Sequence, residues 1–281
     1  MRPLETTGAT AEVRLSDLLE LEAVEVDLFR PVTLCDDPEG LYGGQVLAQA
    51  LRAASLTVGD GFVAHSLHGY FVRQGDPRRS LLLRVFRDRD GRSYAARRVL
   101  AIQDGEVLLN VLSSFHRGED GPDVQGPSAP HVPRPEELAD HELSTRAVGV
   151  VFRDVQSAPV VPTPERFWAR VADDVPASDP NLWACMITYV SDMCTGVFTL
   201  ADFDWNVSLT SIDHSLWFHR LTAPQWLLLD LHGESVAHGR AMYRGHVFDE
   251  SGVLVAGLAQ ESLYRRRSGP RPWTIRRSTD R

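Results

Sequence analysis

Residues 41–58 decide the fold, and they read LYGGQVLAQALRAASLTV. A glycine pair, Gly43 and Gly44, precedes apolar side chains that recur at helical spacing, which predicts a largely buried helix. Four runs rich in strand-forming residues follow this helix, at 65–73, 80–88, 93–103 and 107–116. Gly-Asp-Pro and Asp-Gly turns separate the runs, and such turns are typical of hairpins. The first half therefore predicts one helix followed by an antiparallel sheet.

The second half repeats this order. Residues 182–193, LWACMITYVSDM, again have helical spacing, and strand-like runs follow at 207–220, 226–235, 240–249 and 253–264. Tyr70-Phe71-Val72-Arg73 falls on Trp217-Phe218-His219-Arg220 at an offset of 147. A repeat of this length indicates two fused α+β units. Joining their sheets edge to edge would remove one unpaired edge from each unit.

The predicted units are an N-terminal domain over 1–116, a linker rich in proline and glycine over 117–138, and a C-terminal domain over 139–268. A basic tail follows over 269–281. Seven arginines lie between Arg265 and Arg281, against one acid, Asp280. This arginine-rich end is either a solvated tail or a contact for a phosphate group.

The composition excludes several classes of protein. A net charge of −9 argues against nucleic-acid binding, and no apolar run reaches the length of a membrane span. The first residues do not resemble a secretory signal, and three cysteines suggest reduced thiols, so we expect a cytoplasmic protein. No cofactor motif, metal-ligand spacing or G-x-S-x-G nucleophile motif is present.

Hydrolysis without a nucleophile or a metal would need a directly activated water. Such a site uses a carboxylate base, groups that hold the water and a donor near the developing negative charge. Many Asp, Ser and Gln residues of this chain meet that description, so the residue types alone do not choose among them.

A family resemblance, carried by longer stretches of sequence, selects among these Asp, Ser and Gln residues. These stretches are LYGGQVLAQAL (41–51), HSLHGYFVRQGD (65–76), DGRSYAARRVLAIQDG (90–105), SSFH (113–116), YVSD (189–192), SIDHSLWFHR (211–220), Arg-Gly (244–245) and GVLVAGLAQES (252–262). In this order, from about residue 15 to 264, the chain resembles the acyl-CoA thioesterase II family. The resemblance implies an α+β double hotdog fold, hydrolysis of fatty acyl-CoA to fatty acid and CoA, and assembly into homo-oligomers.

The resemblance also implies an Asp–Thr–Gln triad that binds the attacking water. By position, the three residues are Asp192, Ser211 and Gln260. Ser211 departs from the family pattern, because it keeps the hydroxyl of threonine but lacks the methyl that restrains χ1. At the offset of 147 the first half has Gln45, Ala64 and Ser113 instead, so we expect only one complete triad.

Three further residues are candidates for substrate binding. Gly43 and Gly44 either present backbone N–H groups to the thioester oxygen or only allow a close approach of their helix to the sheet. Gln45, with Gln49 one turn later, lines the site or bonds across the interface between the two units, and we favour the interface.

Two other functions are compatible with the predicted fold. A hotdog hydratase or dehydratase would need a histidine paired with the acid, and none follows Asp192 in the segment MCTGVF. A non-catalytic acyl-CoA-binding protein would bind the thioester without turnover.

Overall fold

The computed structural model describes residues 14–35, 40–140, 148–155, 164–171, 176, 178–200, 206–221 and 223–267. The N-terminal half begins with a one-turn helix, and the predicted long helix and four strands follow it. Its elements are α1 (Leu15–Leu18), β1 (Leu21–Glu25), β2 (Leu28–Pro31), α2 (Gly43–Ser55), β3 (Phe62–Phe71), β4 (Leu82–Asp90), β5 (Tyr94–Gln103) and β6 (Glu106–Arg117). The basic tail at 269–281 lies outside the described residues.

The C-terminal half repeats this order, again with two strands before its long helix. Its elements are β7 (Val150–Asp154), β8 (Arg166–Val171), α3 (Pro180–Ser191), β9 (Val207–Ser211), β10 (Asp213–Phe218), β11 (Leu227–Ala237), β12 (Arg240–Asp249) and β13 (Leu254–Arg266). Short 3₁₀ helices occur at Pro135–Glu137 and Val197–Thr199. The sequence did not predict β7 and β8.

The single strand predicted over 207–220 is wrong, because the structure breaks it at Ile212. The N–H of Ile212 donates to the carbonyl of Glu261 (2.8 Å), and its own carbonyl accepts from Phe71 (2.8 Å). The side chain of Asp213 accepts the N–H of Glu261 at 2.7 Å and so replaces a backbone partner. As a result, among the described strands, β9 pairs only with β13, whereas β10 lies between β13 and β3.

All thirteen strands in the described part of the chain belong to one sheet. The strand order is β1-β2-β4-β5-β6-β3-β10-β13-β12-β11-β8-β7, with β9 paired to β13. The halves meet where β3 and β10 pair antiparallel, with Leu67 opposite Leu216. This junction is the edge-to-edge continuation expected from the internal repeat.

The two long helices pack against each other in opposite directions inside this sheet. At one end the Tyr42 hydroxyl, just before α2, donates to the carbonyl of Tyr189 near the end of α3 (2.7 Å). At the other end Arg52 of α2 pairs with Asp179 at the start of α3 (3.3 Å). The N-terminus of α2 therefore lies beside the C-terminus of α3, and this junction positions the candidate site.

The predicted linker packs against the outer face of the C-terminal sheet. On β11 Leu227 faces the main core, while Leu228 faces a second cluster on the opposite side of the sheet. That cluster contains Trp168, Trp226, Leu228, Phe248 and Leu254 and is covered by Ala129, Val132 and Leu138. Gln125 fastens the segment, since its amide donates to the carbonyl of Gly252 (3.0 Å) and accepts the N–H of Leu254 (2.9 Å).

Among the described residues, no helix combines the length and the apolar character that crossing a membrane requires.

Candidate active site

Two of the predicted triad residues are in direct contact. Gln260 on β13 is buried, and its Nε2 donates to the hydroxyl of Ser211 at 2.6 Å. Ser211 is the last residue of β9, directly before the break at Ile212. The neighbouring Thr210 is exposed, as strand alternation predicts, so Ser211 is the hydroxyl that faces Gln260.

A buried network holds the other end of the Gln260 amide. Its Oε1 accepts from the hydroxyl of Tyr243 on β12 at 2.8 Å and also bonds to Nδ1 of His214 on β10. The opposite ring nitrogen of His214, Nε2, lies 2.8 Å from the hydroxyl of Ser191. His214 and Tyr243 are both fully buried. The resemblance did not identify either residue, although the alternation of β10 places His214 on the same buried side as Leu216.

Asp192 follows α3 directly and points toward the start of α2. A Cβ built at Gly43, the first residue of α2, would lie only 2.7 Å from Oδ2 of Asp192. The first N–H groups of a helix have no partner within the helix, and together with the helix dipole they favour a nearby negative charge. The start of α2 therefore favours the carboxylate, whereas the C-terminal end of α3, which Asp192 follows directly, opposes this effect.

The electrostatic effect of Asp192 reaches the groups that hold Gln260. Burial raises the pKa of Tyr243 well above its usual value, and the negative charge of Asp192 raises it further. Burial lowers the pKa of His214, while Asp192, the bond to Gln260 and Asp213 partly oppose that effect. Asp192 is thus a charged neighbour of His214 and Tyr243, the two residues that bond to Oε1 of Gln260.

The two glycines have different surroundings. A Cβ at Gly44 would lie 2.6 Å from the carbonyl of Tyr189 and from the ring of Tyr42, so this glycine allows α2 to approach α3. A Cβ at Gly43 would instead meet the Asp192 carboxylate and the ring of Phe71 (3.0 Å). Gly43 therefore borders the acid of the candidate site.

The two glutamines of α2 are both buried. Nε2 of Gln49 donates to the carbonyls of Leu18 (2.8 Å) and Thr33 (3.3 Å), both in the N-terminal half. The prediction that Gln49 bonds across the interface of the halves is therefore wrong. Gln45 lies next to Gly44 in the first turn, and its Nε2 has no hydrogen-bond partner among the described residues.

The prediction that Gln45 matches Asp192 is also wrong. The long helices begin at Gly43 and Pro180, 137 positions apart, whereas the strands repeat at 147. The position that matches Asp192 lies at the end of α2, where the chain reads Ser55-Leu56-Thr57 and has no carboxylate. The first half therefore has no carboxylate at the position that matches Asp192, as expected, but that position is not Gln45.

A buried arginine occupies the matching place in the first half. Arg97 pairs across β5 and β6 with Ser113, as Tyr243 pairs with Gln260 across β12 and β13. Its guanidinium donates to the hydroxyl (2.8 Å) and carbonyl (3.0 Å) of Thr57. Because Arg97 is 1% exposed and bound to the chain, it occupies space that would otherwise be available to a water or ligand.

Among the described residues, no three His, Cys, Asp or Glu side chains lie close enough together to hold a metal ion.

Comparison with known proteins identifies the family. Residues 35–116 match the family model described as the acyl-CoA thioesterase N-terminal domain, and residues 120–264 match the model of the acyl-CoA thioesterase C-terminal domain. The chain belongs to the acyl-CoA thioesterase family. The thioesterase is also 30% identical to human acyl-coenzyme A thioesterase 8, in a match that covers 92% of this chain and 91% of the human protein.

Solved structures agree with this assignment. The structure of an acyl-CoA thioesterase II, TesB2, from Mycobacterium marinum matches the thioesterase with a TM-score of 0.75 and 34% identity, over 92% of this chain and 99% of that one. A protein of Alicyclobacillus acidocaldarius described as having a hot dog fold matches at a TM-score of 0.73 and 17% identity, over 90% of this chain and 98% of that one. The predicted family, the double hotdog fold and the class of thioester hydrolase are confirmed.

Proposed function

We propose that Asp192, Ser211 and Gln260 bind and activate a water that attacks the thioester carbon of fatty acyl-CoA and releases fatty acid and CoA. The observation that carries the proposal is the 2.6 Å bond between Gln260 and Ser211. The Asp192 carboxylate at the start of α2 supports it, because its charge acts on His214 and Tyr243, which bond to Gln260. Asp192 accepts a proton from the water. Ser211 and Gln260 hold the water oxygen in line with the carbonyl carbon.

The hydrogens of the Ser211–Gln260 pair suit this role. The Nε2 of Gln260 carries two hydrogens, of which one goes to Ser211 and the other is left for the water. Ser211 accepts from an amide N–H, which cannot take up a proton, so this contact does not convert the serine into a nucleophile. The proposed reaction therefore has no acyl-enzyme. Because a thiol has a pKa of about 8.5, CoA leaves as a thiolate without strong acid assistance.

The start of α2 is the proposed site for the thioester oxygen. The backbone N–H groups of Gly43 and Gly44 belong to the first turn, where helix N–H groups lack partners within the helix. The buried Gln45 amide adds an unsatisfied donor in the same turn. Donors placed in advance of the reaction stabilise the oxyanion that forms when water attacks.

The proposed setting is a cytoplasmic homo-oligomer. Its support is that Cys35, Cys185 and Cys194 are free thiols, and that large apolar side chains remain exposed on adjoining strands of the sheet. These side chains are Tyr70, Leu112 and Trp217. Sedimentation equilibrium tests the assembly, since Leu112→Glu should lower the mass of an oligomer that uses this face.

Replacing Asp192 with Asn tests the proposed base. A general base contributes about 100- to 10,000-fold to the rate, so kcat should fall within that range while KM changes little. CoA release, followed with a thiol reagent, measures the rate.

Asp179→Asn is the matched control, because Asp179 caps the opposite end of α3 through the N–H of Leu182 and asparagine caps equally well. It should retain wild-type kcat. Near-normal hydrolysis by Asp192→Asn would remove this residue from the mechanism. Binding of acyl-CoA without turnover by the wild-type protein would instead indicate a non-catalytic binding protein.

A further inference from the structure

The amide of Gln260 has two chemically different ends, and its neighbours determine which end faces the candidate site. The hydroxyl of Tyr243 lies 2.8 Å from Oε1 of Gln260. The raised pKa of Tyr243 keeps its phenol protonated, so the phenol donates to that oxygen. The Tyr243 hydroxyl is farther, at 3.1 Å, from the carbonyl of Cys194. Nε2 of Gln260 then faces Ser211. The phenol therefore sets one end of the amide as the acceptor.

His214 has the same effect from the neighbouring strand. Its ring is completely buried, and a neutral imidazole carries only one N–H. Because Oε1 of Gln260 can only accept, the hydrogen must lie on Nδ1, and Nε2 must accept. Ser191 supplies the donor for Nε2 at 2.8 Å, although its hydroxyl also lies 2.9 Å from the carbonyl of Thr188. A buried Nε2 without a donor would be the costlier alternative.

All hydrogen bonds of this chain of groups then run in one direction. Ser191 donates to His214, His214 donates to Gln260, and Gln260 donates to Ser211. A rotated amide would turn its carbonyl oxygen toward Ser211. The serine would then give its hydrogen to Gln260, and the amide would have no N–H left for a water at the site.

We infer that His214, assisted by Tyr243, is a positioning residue that holds the Gln260 amide with its N–H groups toward the attacking water. The inference rests on the proposed function, because it assigns His214 a task only if Gln260 binds that water. His214 acts through Gln260. Its removal therefore matters only while Gln260 is present.

The experiment is a set of double-mutant cycles. His214→Leu and Tyr243→Phe are each made in the wild-type chain and in Gln260→Ala, and kcat and KM are measured with one acyl-CoA. In the wild-type chain each change should lower kcat by about 10- to 100-fold, the loss expected for a misplaced group, with KM within about twofold. In Gln260→Ala neither change should lower kcat further, because residues that act as a unit are non-additive.

Two further variants separate positioning from stability. His214→Asn keeps an N–H donor near the position of Nδ1, so it should retain more activity than His214→Leu. His68→Leu is the control, because His68 lies on β3 opposite Ser215, the residue after His214, and contacts Trp217 outside the network. It should keep wild-type kcat. Tyr243→Phe removes a single oxygen, so it serves as the test if the His214 variants fail to fold.

The outcomes distinguish two failures. Losses that add in the Gln260→Ala background, or equal activity of His214→Asn and His214→Leu, would overturn the positioning role alone. Wild-type kcat in Gln260→Ala would overturn the proposed water site and the positioning role together.

Discussion

Gly43→Ala is the substitution whose effect the structure defines most sharply. The added Cβ would lie 2.7 Å from Oδ2 of Asp192 and 3.0 Å from two atoms of the Phe71 ring. Ordinary contacts of a Cβ begin at 3.4 Å, so the carboxylate oxygen must move by about 0.7 Å. The Asp192 side chain can rotate to do so. The helix therefore survives, but the proposed base is displaced.

The displacement sets the size of the expected effect. A misplacement of about 1 Å can cost roughly 100-fold in rate, so a shift of about 0.7 Å should lower kcat by about 10- to 100-fold. Stability should change little, because alanine favours even a helix interior over glycine by at most about 1 kcal/mol, and Gly43 is only the first residue of its helix. The substitution should thus lower kcat without lowering the melting temperature.

The assay combines CoA release with thermal unfolding and uses Gly44→Ala for comparison. A Cβ at Gly44 would meet the backbone carbonyl of Tyr189 at 2.6 Å, so that change should lower the melting temperature. Wild-type kcat in a folded Gly43→Ala protein would refute the reasoning, because it would show that the place of Asp192 beside Gly43 is irrelevant to hydrolysis.

Three other predictions concern residues around the site and its counterpart in the first half. Ser211→Thr should keep kcat within about threefold of wild type, because the hydroxyl is retained and χ1 is more restrained, whereas Ser211→Ala should lower kcat in the same CoA-release assay. Arg97→Met should lower the free energy of unfolding in urea by about 2–4 kcal/mol, since buried acceptors of Thr57 lose their donors, and kcat per folded molecule should not change. Burial lowers the pKa of His214 below its usual value of 6.5, so the unfolded chain binds a proton on this ring at a pH where the folded chain does not. The free energy of unfolding should therefore decrease as pH falls from 6.5 toward the pKa of the folded chain. His214 should contribute at most about 1.4 kcal/mol per pH unit to the slope of the unfolding free energy against pH, and His214→Asn should remove this contribution.

Local sequence signals were sufficient for most of the fold. The helix at Gly43–Ser55 and the strands that follow it depend on periodicity and on turn residues, which are local properties. By contrast, β7 and β8 are short, and β8 forms by pairing with β11, more than fifty positions away. The break at Ile212 depends on the Asp213 side chain accepting from β13, which strand propensity does not reveal.

Predicting the site required relating residues that are far apart in the sequence. Asp192, Ser211 and Gln260 came from the family resemblance, because no spacing in one sequence unites a helix end with two strands. His214 and Tyr243 were missed, since their bonds to Gln260 span 46 and 17 positions and require the strand register. The error over Gln45 arose from loops of unequal length. The first half has six residues between its long helix and next strand, and the second half has fifteen.

The most direct test of the water mechanism is a single turnover in H₂¹⁸O with enzyme in excess over acyl-CoA, in which the masses of the fatty acid and the intact protein are followed together. Direct attack by water predicts one ¹⁸O in every fatty acid molecule and no change in the mass of the protein at any time. Unlabelled fatty acid would indicate attack by the Asp192 carboxylate itself, and a protein heavier by one acyl group would indicate an acyl-enzyme. Either result would contradict a water activated by Asp192, Ser211 and Gln260.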